Sequence, residues 1–346
     1  MKANYRPVFN LNRKILHKLL PLDTPMAFAI VSSQACNIHC TYCLHSLSSR
    51  VLRDKGFAQK NMDWDTFTHT VDLLKEFPKK IKSLNMSGQG EPLCNPHFAD
   101  MVRYLHESDT VEDLNFITNG LLLTHTLSDA LIDAGINRIF VSLQGMTGKK
   151  YQEICGKEID FDALVENLRY FYEQKNKSPR KEDIQLNIKI ADVALDTGDR
   201  EKFLACLGDI CDTIHVETIK PLYADVDYSD LLGKNNTDMT TTRFGRLHKK
   251  QKACYLAFYD MNVTPDGEIR PCGAPFQGCP GLGNIRNTSL VEAWNSDVRR
   301  KFLLSMLQGE RYKNPVCCDC DYPNDVPTEN DEIDPFVEDL IPKFIR

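Results

Sequence analysis

Three cysteines within a short stretch constrain this chain more than any other feature. Cys36, Cys40 and Cys43 stand in the run Cys-Asn-Ile-His-Cys-Thr-Tyr-Cys, a C-x3-C-x2-C spacing. Thiolates are the soft ligands that iron–sulfur clusters take, and three of them leave the fourth iron of a cubane open to an outside ligand. The alternative is a tetrahedral zinc site with His39 or His45 as a further ligand. An open iron would imply chemistry at the site and not electron storage alone.

The cysteine content and the charge narrow the class of protein. The chain has 346 residues, 13 cysteines and a net charge of −6, and its N-terminal residues lack the long apolar core of a secretory signal. Cysteines in such number then favour metal ligation over disulfides and a reducing compartment. The negative charge does not favour nucleic acid, and no apolar run reaches the length of a membrane span. We expect a cytoplasmic protein that binds neither nucleic acid nor membranes.

Strand and helix patterns alternate along the first two thirds of the chain. Apolar runs predict six strands, over residues 27–33, 81–86, 111–118, 137–143, 184–190 and 213–219. Amphipathic spacing and capping residues predict the intervening helices, over residues 63–77, 96–107, 128–134, 161–174 and 200–207. This alternation predicts an α/β fold with a parallel sheet. The cysteine loop follows the first strand, at the sheet edge where β/α barrels carry their chemistry.

Polar residues recur at every second position of several predicted strands and therefore share one face. The sets are Ser83, Asn85 and Ser87; Phe140, Ser142 and Gln144; Gln185, Asn187 and Lys189; and His215, Glu217 and Ile219. Parallel strands covered on both faces are apolar on both, so these sets indicate a polar barrel lumen, or alternatively edge strands with a solvated face. Glu217, His215 and Lys189 are candidate catalytic bases because they would face that lumen.

A second set of cysteines follows a polar stretch at residues 221–250, which contains Gly233, Asn235 and Asn236 and which we interpret as a linker or a loop. Cys254 and Cys272 flank a hairpin predicted from the turn Pro265-Asp266-Gly267. After a helix predicted over residues 290–307, the set closes with Cys317-Cys318-Asp319-Cys320. Four thiolates suit zinc and an iron–sulfur cluster equally well, so the spacing leaves both metals open.

The first cysteine motif, with Tyr42 before its third cysteine, resembles the signature of the radical S-adenosylmethionine (SAM) superfamily. The run Gly88-Gln89-Gly90-Glu91-Pro92 is similar to the Gly-Gly-Glu-Pro loop of that family, with one residue inserted between the glycines, and Thr118-Asn119-Gly120 matches its Thr-Asn-Gly. The resemblance implies a partial six-stranded barrel. It also implies a [4Fe–4S] cluster whose open iron binds SAM and cleaves it to a 5′-deoxyadenosyl radical that abstracts hydrogen from a substrate. It places cofactor contacts at Tyr42, Gly88, Gln89, Gly90, Glu91, Asn119, Ser142, Gln144 and Asn187.

The second set is similar to the SPASM/twitch region of radical SAM enzymes, which carries auxiliary iron–sulfur clusters. The full SPASM form has further cysteines after its closing Cys-x2-Cys, whereas this chain has none after Cys320. The resemblance therefore implies the shorter twitch form, with one auxiliary [4Fe–4S] cluster on Cys254, Cys272, Cys317 and Cys320. Cys318 and Cys279 remain alternative ligands.

These features together predict an organisation and an activity. We expect an N-terminal lead-in on the surface (residues 1–25), a partial (β/α)6 TIM-like barrel (26–220), a linker or loop (221–250), a small twitch/SPASM-like domain with a β-hairpin and a helix (251–325) and a solvated acidic tail (326–346). The resemblance implies oxidation of a small sugar-like or aminocyclitol substrate, with the auxiliary cluster accepting an electron. It also implies an electron donor such as flavodoxin or ferredoxin.

Two alternatives and one further role stay open. Peptide modification by a SPASM enzyme is less expected, because the short N-terminal stretch leaves no room for a leader-binding domain. A non-enzymatic zinc-binding protein is the second alternative. Among the other cysteines, Cys94 and Cys155 follow predicted loops at the barrel mouth, where a thiol could return a hydrogen atom to a substrate radical; core packing is the ordinary role of a free cysteine.

Overall fold

The computed structural model of the chain describes residues 1–7, 13–221, 225–229, 240–243, 246–273 and 280–345. Four residues singled out above lie outside the described residues, namely Gly233, Asn235, Asn236 and Cys279. Within the described ranges, no helix is both long enough and apolar enough to cross a membrane.

One sheet forms the centre of the described chain. Its nine strands are β1 (Asn4–Tyr5), β2 (Ala27–Ile30), β3 (Ser83–Asn85), β4 (Leu114–Thr118), β5 (Arg138–Leu143), β6 (Gln185–Ala191), β7 (Thr213–Glu217), β8 (Asp260–Val263) and β9 (Ile269–Arg270). Their order is β1-β7-β6-β5-β4-β3-β2-β8-β9, and all neighbours are parallel except β8 and β9. The six predicted strands are confirmed as β2 to β7, and the mostly parallel α/β architecture is confirmed with them.

Helices cover the sheet between the strands. They are α1 (Leu16–Leu19), α2 (Ser49–Asp54), α3 (Trp64–Leu74), α4 (Phe98–Glu107), α5 (His125–Ala134), α6 (Gly148–Cys155), α7 (Phe161–Lys177), α8 (Asp199–Leu207), α9 (Leu256–Tyr259), α10 (Leu290–Trp294), α11 (Asp297–Leu307) and α12 (Val337–Phe344). The five predicted barrel helices are confirmed as α3, α4, α5, α7 and α8. The single helix predicted over residues 290–307 is two helices, because Ser296 caps α11 by accepting a hydrogen bond from the Arg299 amide.

The two strands beside the predicted barrel sheet come from distant parts of the sequence. β1 pairs with β7, and β8 pairs in parallel with β2, with Ala27 opposite Asp260. The predicted hairpin is confirmed as the antiparallel pair β8 and β9, but it extends the barrel sheet and does not stand apart from it. The proposed boundaries at residues 220 and 251 stay a prediction.

Both terminal segments are packed more deeply than expected. The surface assignment of residues 1–25 is wrong for Leu16 and Leu20, which are buried in a second core with α11 and α12. The tail is likewise more than a solvated cap, since Leu340 and Phe344 are buried in the same core. Arg13 donates to Asp331 over 2.7 Å and joins the two segments. Burial of apolar side chains therefore stabilises the packing of both segments, although the tail carries a net negative charge.

The alternation of burial along β5 separates the two faces of the sheet. Ile139, Val141 and Leu143 are buried in the main core beneath the helices, whereas Phe140 and Ser142 are half-buried on the opposite face. Because register partners on neighbouring parallel strands share a face, the polar sets identified in the sequence meet in one lumen.

Candidate functional site

The three clustered cysteines lie at the carboxyl end of β2 and line one cavity of about 220 Å³. Their loop is tightened by the Cys43 amide, which donates to the Cys40 carbonyl over 3.0 Å. Burial raises the pKa of Cys36 and of Cys43 to about 12. These thiols therefore keep their protons until a metal displaces them, as is usual for buried metal ligands.

The glycine-containing loop is locked against the chain that leads into the cysteine loop. A Cβ atom at Gly90 would lie 2.5 Å from the Ala35 carbonyl oxygen, so only glycine fits there. The next amide, that of Glu91, donates to the same carbonyl over 2.8 Å. The Gln89 side chain turns away from the cavity and accepts a hydrogen bond from Gln34 over 2.8 Å. The loop thus fixes the place of Glu91 relative to Cys36.

Glu91 is a buried carboxyl group that faces the cavity. Its oxygens accept hydrogen bonds from the Thr118 hydroxyl at 2.7 Å, the Asn119 amide at 2.7 Å and the Leu93 amide at 3.1 Å. Burial raises the pKa of Glu91 to about 7, against the opposing effect of these hydrogen bonds. A cation beside this carboxylate would restore its ionised form, so the site suits an ammonium group.

Two buried side-chain atoms in or next to the cavity wall have no hydrogen-bond partner within the described part of the chain. They are Gln144 Oε1, in the cavity wall, and Asn37 Nδ2, next to Asn119. A buried polar group left unpaired costs free energy, so a polar ligand that paired with these two atoms would be favoured at the site. Glu91 and Gln144 Oε1 can accept hydrogen bonds and Asn37 Nδ2 can donate one, so a ligand with both donor and acceptor groups would satisfy them.

The structure brings together six of the nine proposed cofactor contacts. Tyr42, Gly90, Glu91, Asn119, Ser142 and Gln144 line the cavity. Gly88, Gln89 and Asn187 do not line it. Gly88 provides the turn with φ +131°, and Asn187 accepts from Thr213 over 2.6 Å at a lower level of the lumen.

Two of the three candidate bases face the same cavity. Lys189 Nζ lies 2.5 Å from Glu217 Oε2, and about a fifth of each side chain is exposed. Burial alone would raise the pKa of Glu217, but Lys189 and Arg243 together lower it below its ordinary value. His215 does not line the cavity and packs against Tyr5 with ring centroids 5.8 Å apart. Burial lowers the pKa of His215.

Sequence reasoning missed two charged residues around the lumen. Asp260 is the register partner of Ala27, which pairs on its other side with Ser83, so the three residues share the lumen face. Burial raises the pKa of Asp260 to about 7. Arg243 donates to Asp325 and lies close enough to Glu217 to lower its pKa. In the sequence, Asp260 is marked only by its position one residue before a stretch of alternating apolar and polar residues. Arg243 lies in a stretch that has no such periodicity and is therefore not indicated at all.

The second set of cysteines also converges. Cys254 and Cys317 are buried in the same core. Burial raises the pKa of Cys317 above its ordinary value, and the neighbouring thiols of Cys272, Cys254 and Cys320 raise it further. Arg311 holds the turn by donating to the Cys317 and Cys320 carbonyls, both at 2.8 Å. Cys318 is exposed and donates to the Pro315 carbonyl over 3.2 Å, away from this group.

Each set of thiols therefore fits an iron–sulfur cluster by its chemistry. Cys36, Cys40 and Cys43 offer three thiols beside a polar cavity, and the second set offers four. Every cysteine that the structure describes is a free thiol, so none of these is committed to a disulfide. The described side chains include no group of three His, Cys, Asp or Glu close enough to share a single metal ion.

Comparison with known proteins identifies both regions. Residues 30–180 match the family model of the radical SAM superfamily, and residues 254–321 match that of an iron–sulfur cluster-binding domain, SPASM. The chain is 29% identical over 136 residues to the GTP 3′,8-cyclase of Staphylococcus haemolyticus, a match that covers 39% of this chain and 38% of the cyclase. It is 22% identical over 317 residues to the tungsten-containing aldehyde ferredoxin oxidoreductase cofactor-modifying protein of Pyrococcus furiosus, covering 82% of this chain and 84% of that protein.

Among solved structures, BtrN in complex with AdoMet and 2-DOIA has a similar fold. The TM-score is 0.54 at 19% sequence identity, and the match covers 90% of this chain and 99% of BtrN. The two family matches follow one another in the order that the cysteine motifs predict, and SAM and two [4Fe–4S] clusters are accordingly the cofactors of this chain. The chain therefore carries a radical SAM domain, followed by a SPASM/twitch-type iron–sulfur cluster-binding domain.

Proposed function

We propose that this chain is a radical SAM dehydrogenase that oxidises a hydroxyl-bearing carbon of a small polar substrate, of the sugar or aminocyclitol kind. The observation that carries the proposal is the ion pair between Lys189 and Glu217, which lies in the same cavity as the three cysteines and Glu91. The fold similarity to BtrN, whose crystal structure holds AdoMet and 2-DOIA, supports a small substrate.

The cofactors would be held by the residues already described. Cys36, Cys40 and Cys43 would ligate the first cluster, and Cys254, Cys272, Cys317 and Cys320 the auxiliary one, with Cys317 preferred to Cys318 because only Cys317 is buried among the other thiols. When bound, SAM and the clusters supply hydrogen-atom abstraction and an acceptor for the second electron. The low potential that such chemistry needs suits a reductant such as flavodoxin or ferredoxin.

The two side chains of the ion pair would make complementary hydrogen bonds to a hydroxylated substrate. The Lys189 ammonium donates hydrogen bonds and the Glu217 carboxylate accepts them, so together they can hold neighbouring hydroxyl or amino groups. Because its pKa is lowered, Glu217 is ionised at neutral pH and can accept a hydroxyl proton. A weak base is enough, because a carbon radical makes an attached hydroxyl group far more acidic than an ordinary alcohol.

The test follows a deuterium atom. The anaerobic, cluster-loaded protein is incubated with SAM, a reductant and carbon-deuterated aminocyclitols, sugars or short peptides, and 5′-deoxyadenosine is analysed by mass spectrometry. We expect deuterium transfer from a polyhydroxylated compound, with oxidised product at the deuterated carbon. Transfer from peptides alone would refute the proposal in favour of peptide modification.

Variants of the ion pair test the role of the cavity. Lys189→Met and Glu217→Gln should each lower product formation by ~10²-fold, the usual contribution of a positioned acid or base. Lys202→Met is the matched control, since Lys202 is an exposed lysine that also pairs with a carboxylate, Asp199, at 2.9 Å. Equal product formation in all three variants would contradict the assignment.

A further inference from the structure

The end of helix α6 is fastened to the cysteine loop. The His39 amide donates to the Cys155 carbonyl over 3.1 Å, and the Thr41 amide donates to the Ile154 carbonyl over 2.9 Å. Gly156, with φ +68°, ends the helix directly after these residues. Two backbone hydrogen bonds on either side of Cys40 thus fix the position of Cys155 relative to the loop.

The side chain of Cys155 is directed at Cys40. The two Sγ atoms lie 3.6 Å apart, within hydrogen-bonding distance for sulfur, and Cys155 is completely buried. Between free thiols either sulfur can donate. A Cys40 that ligates metal as a thiolate has no proton left, so Cys155 is then the donor of this pair. Cys155 does not line the cavity, which removes the geometric basis for the suggestion that it returns a hydrogen atom to a substrate.

A hydrogen bond to a ligating sulfur affects the cluster in a predictable direction. Reduction adds one negative charge to the cluster, and part of that charge resides on the thiolate sulfurs. A donor at such a sulfur therefore stabilises the reduced form more than the oxidised form and raises the reduction potential. The effect is largest where water cannot compete, as at this buried pair.

We propose that Cys155 is a positioning residue that donates an S–H···S hydrogen bond to Cys40 and makes the radical SAM cluster easier to reduce. This inference rests on the proposed function, because it takes Cys40 as a ligand of that cluster. It assigns Cys155 no contact with SAM or substrate. The thiol acts through Cys40 alone.

The test compares Cys155→Ala, which removes the donor, with Cys155→Ser, which keeps a hydroxyl donor at the same place. Cys211→Ala is the matched control, since Cys211 is equally buried but donates to the Leu207 carbonyl over 3.3 Å. Each full-length protein is reconstituted anaerobically, and its iron and sulfide content is measured. The reduced cluster is then followed by electron paramagnetic resonance during a redox titration, and the signal that changes on addition of SAM identifies the first cluster.

We expect Cys155→Ala to hold as much iron as the wild type but to show a more negative midpoint potential at the SAM-sensitive cluster. An exchangeable proton coupled to that cluster, seen by electron–nuclear double resonance in H2O but not in D2O, should disappear. Cys155→Ser should recover the proton and at least part of the potential, and Cys211→Ala should match the wild type.

The outcomes separate this inference from the proposed function. An unchanged potential and an unchanged exchangeable proton in Cys155→Ala would overturn the hydrogen bond while leaving the radical SAM site intact. Loss of the cluster from both the alanine and the serine variant would show that the Cys155 thiol is needed to hold the cluster, and would overturn the proposal in a different way. A wild-type protein without any SAM-sensitive cluster would instead refute the proposed function.

Discussion

Glu91 makes a quantitative prediction about stability in the absence of cofactors. Its pKa rises from an ordinary value of 4.5 to about 7 because the carboxyl group is buried. At about 1.4 kcal/mol for each pH unit, this rise corresponds to about 3 kcal/mol between the two protonation states. The folded chain therefore holds a proton at Glu91 in a pH range where the unfolded chain has released it.

The sign follows from linkage. Between about pH 4.5 and pH 7 the folded state binds more protons at this position than the unfolded state, so the free energy of unfolding falls as the pH rises. Glutamine cannot titrate. The free energy of unfolding of Glu91→Gln, measured relative to the wild type, should accordingly increase by about 3 kcal/mol between pH 4 and pH 8.

Urea denaturation of the two cofactor-free proteins, followed by circular dichroism at a series of pH values, measures this difference directly. Comparing the change with pH cancels the constant cost of replacing a carboxyl oxygen by an NH2 group. Glu173→Gln, at an exposed glutamate on α7, is the control and should follow the wild type at every pH. Parallel curves for Glu91→Gln and the wild type would refute the reasoning and show that Glu91 is solvated.

Three further predictions concern the cysteines and one buried arginine. Cys36→Ala should abolish reductive formation of 5′-deoxyadenosine, because it removes one of only three thiols at the first site; turnover at the wild-type rate would exclude that site. Cys320→Ala should lose about half of the iron while SAM cleavage persists, as expected for two clusters of equal size. Cys318→Ala, a change at an exposed cysteine, should keep all its iron. The reverse result would show that Cys318 and not Cys320 is the ligand. Arg299→Met should lower the free energy of unfolding by about 3 kcal/mol, because the Trp294, Ala257 and Phe258 carbonyls lose their donor; a urea midpoint equal to that of the wild type would contradict this.

The barrel strands were predictable because their signals are local. The runs at residues 137–143 and 184–190 combine β-branched residues with a period of two, and the structure places β5 and β6 there. The cap of α3 was equally local, with Asp63 accepting a hydrogen bond from the Thr66 amide over 2.7 Å. Such patterns depend on neighbours in sequence, so one chain is enough to recognise them.

The features that sequence missed depend on pairing between distant segments. β1 has only two residues, and nothing local indicates that it pairs with β7 more than 200 residues later. The contact between Cys155 and Cys40 likewise joins residues 115 positions apart. The burial of Leu16 against the C-terminal helices is another contact between segments that are distant in the sequence. Hydrophobic residues in a segment that lacks periodicity do not reveal which partner will cover them.

The pairing of β8 with β2 connects the two cysteine sets through the sheet. β2 leads directly into the loop that carries Cys36, and β8 runs beside it through four register pairs, from Ala27 with Asp260 to Ile30 with Val263. β9 then returns antiparallel to β8 and ends two residues before Cys272. Both sets therefore branch from adjacent strands of one sheet. The register pairs between β2 and β8 hold the two strands side by side, and none of these pairs involves residues 221–250.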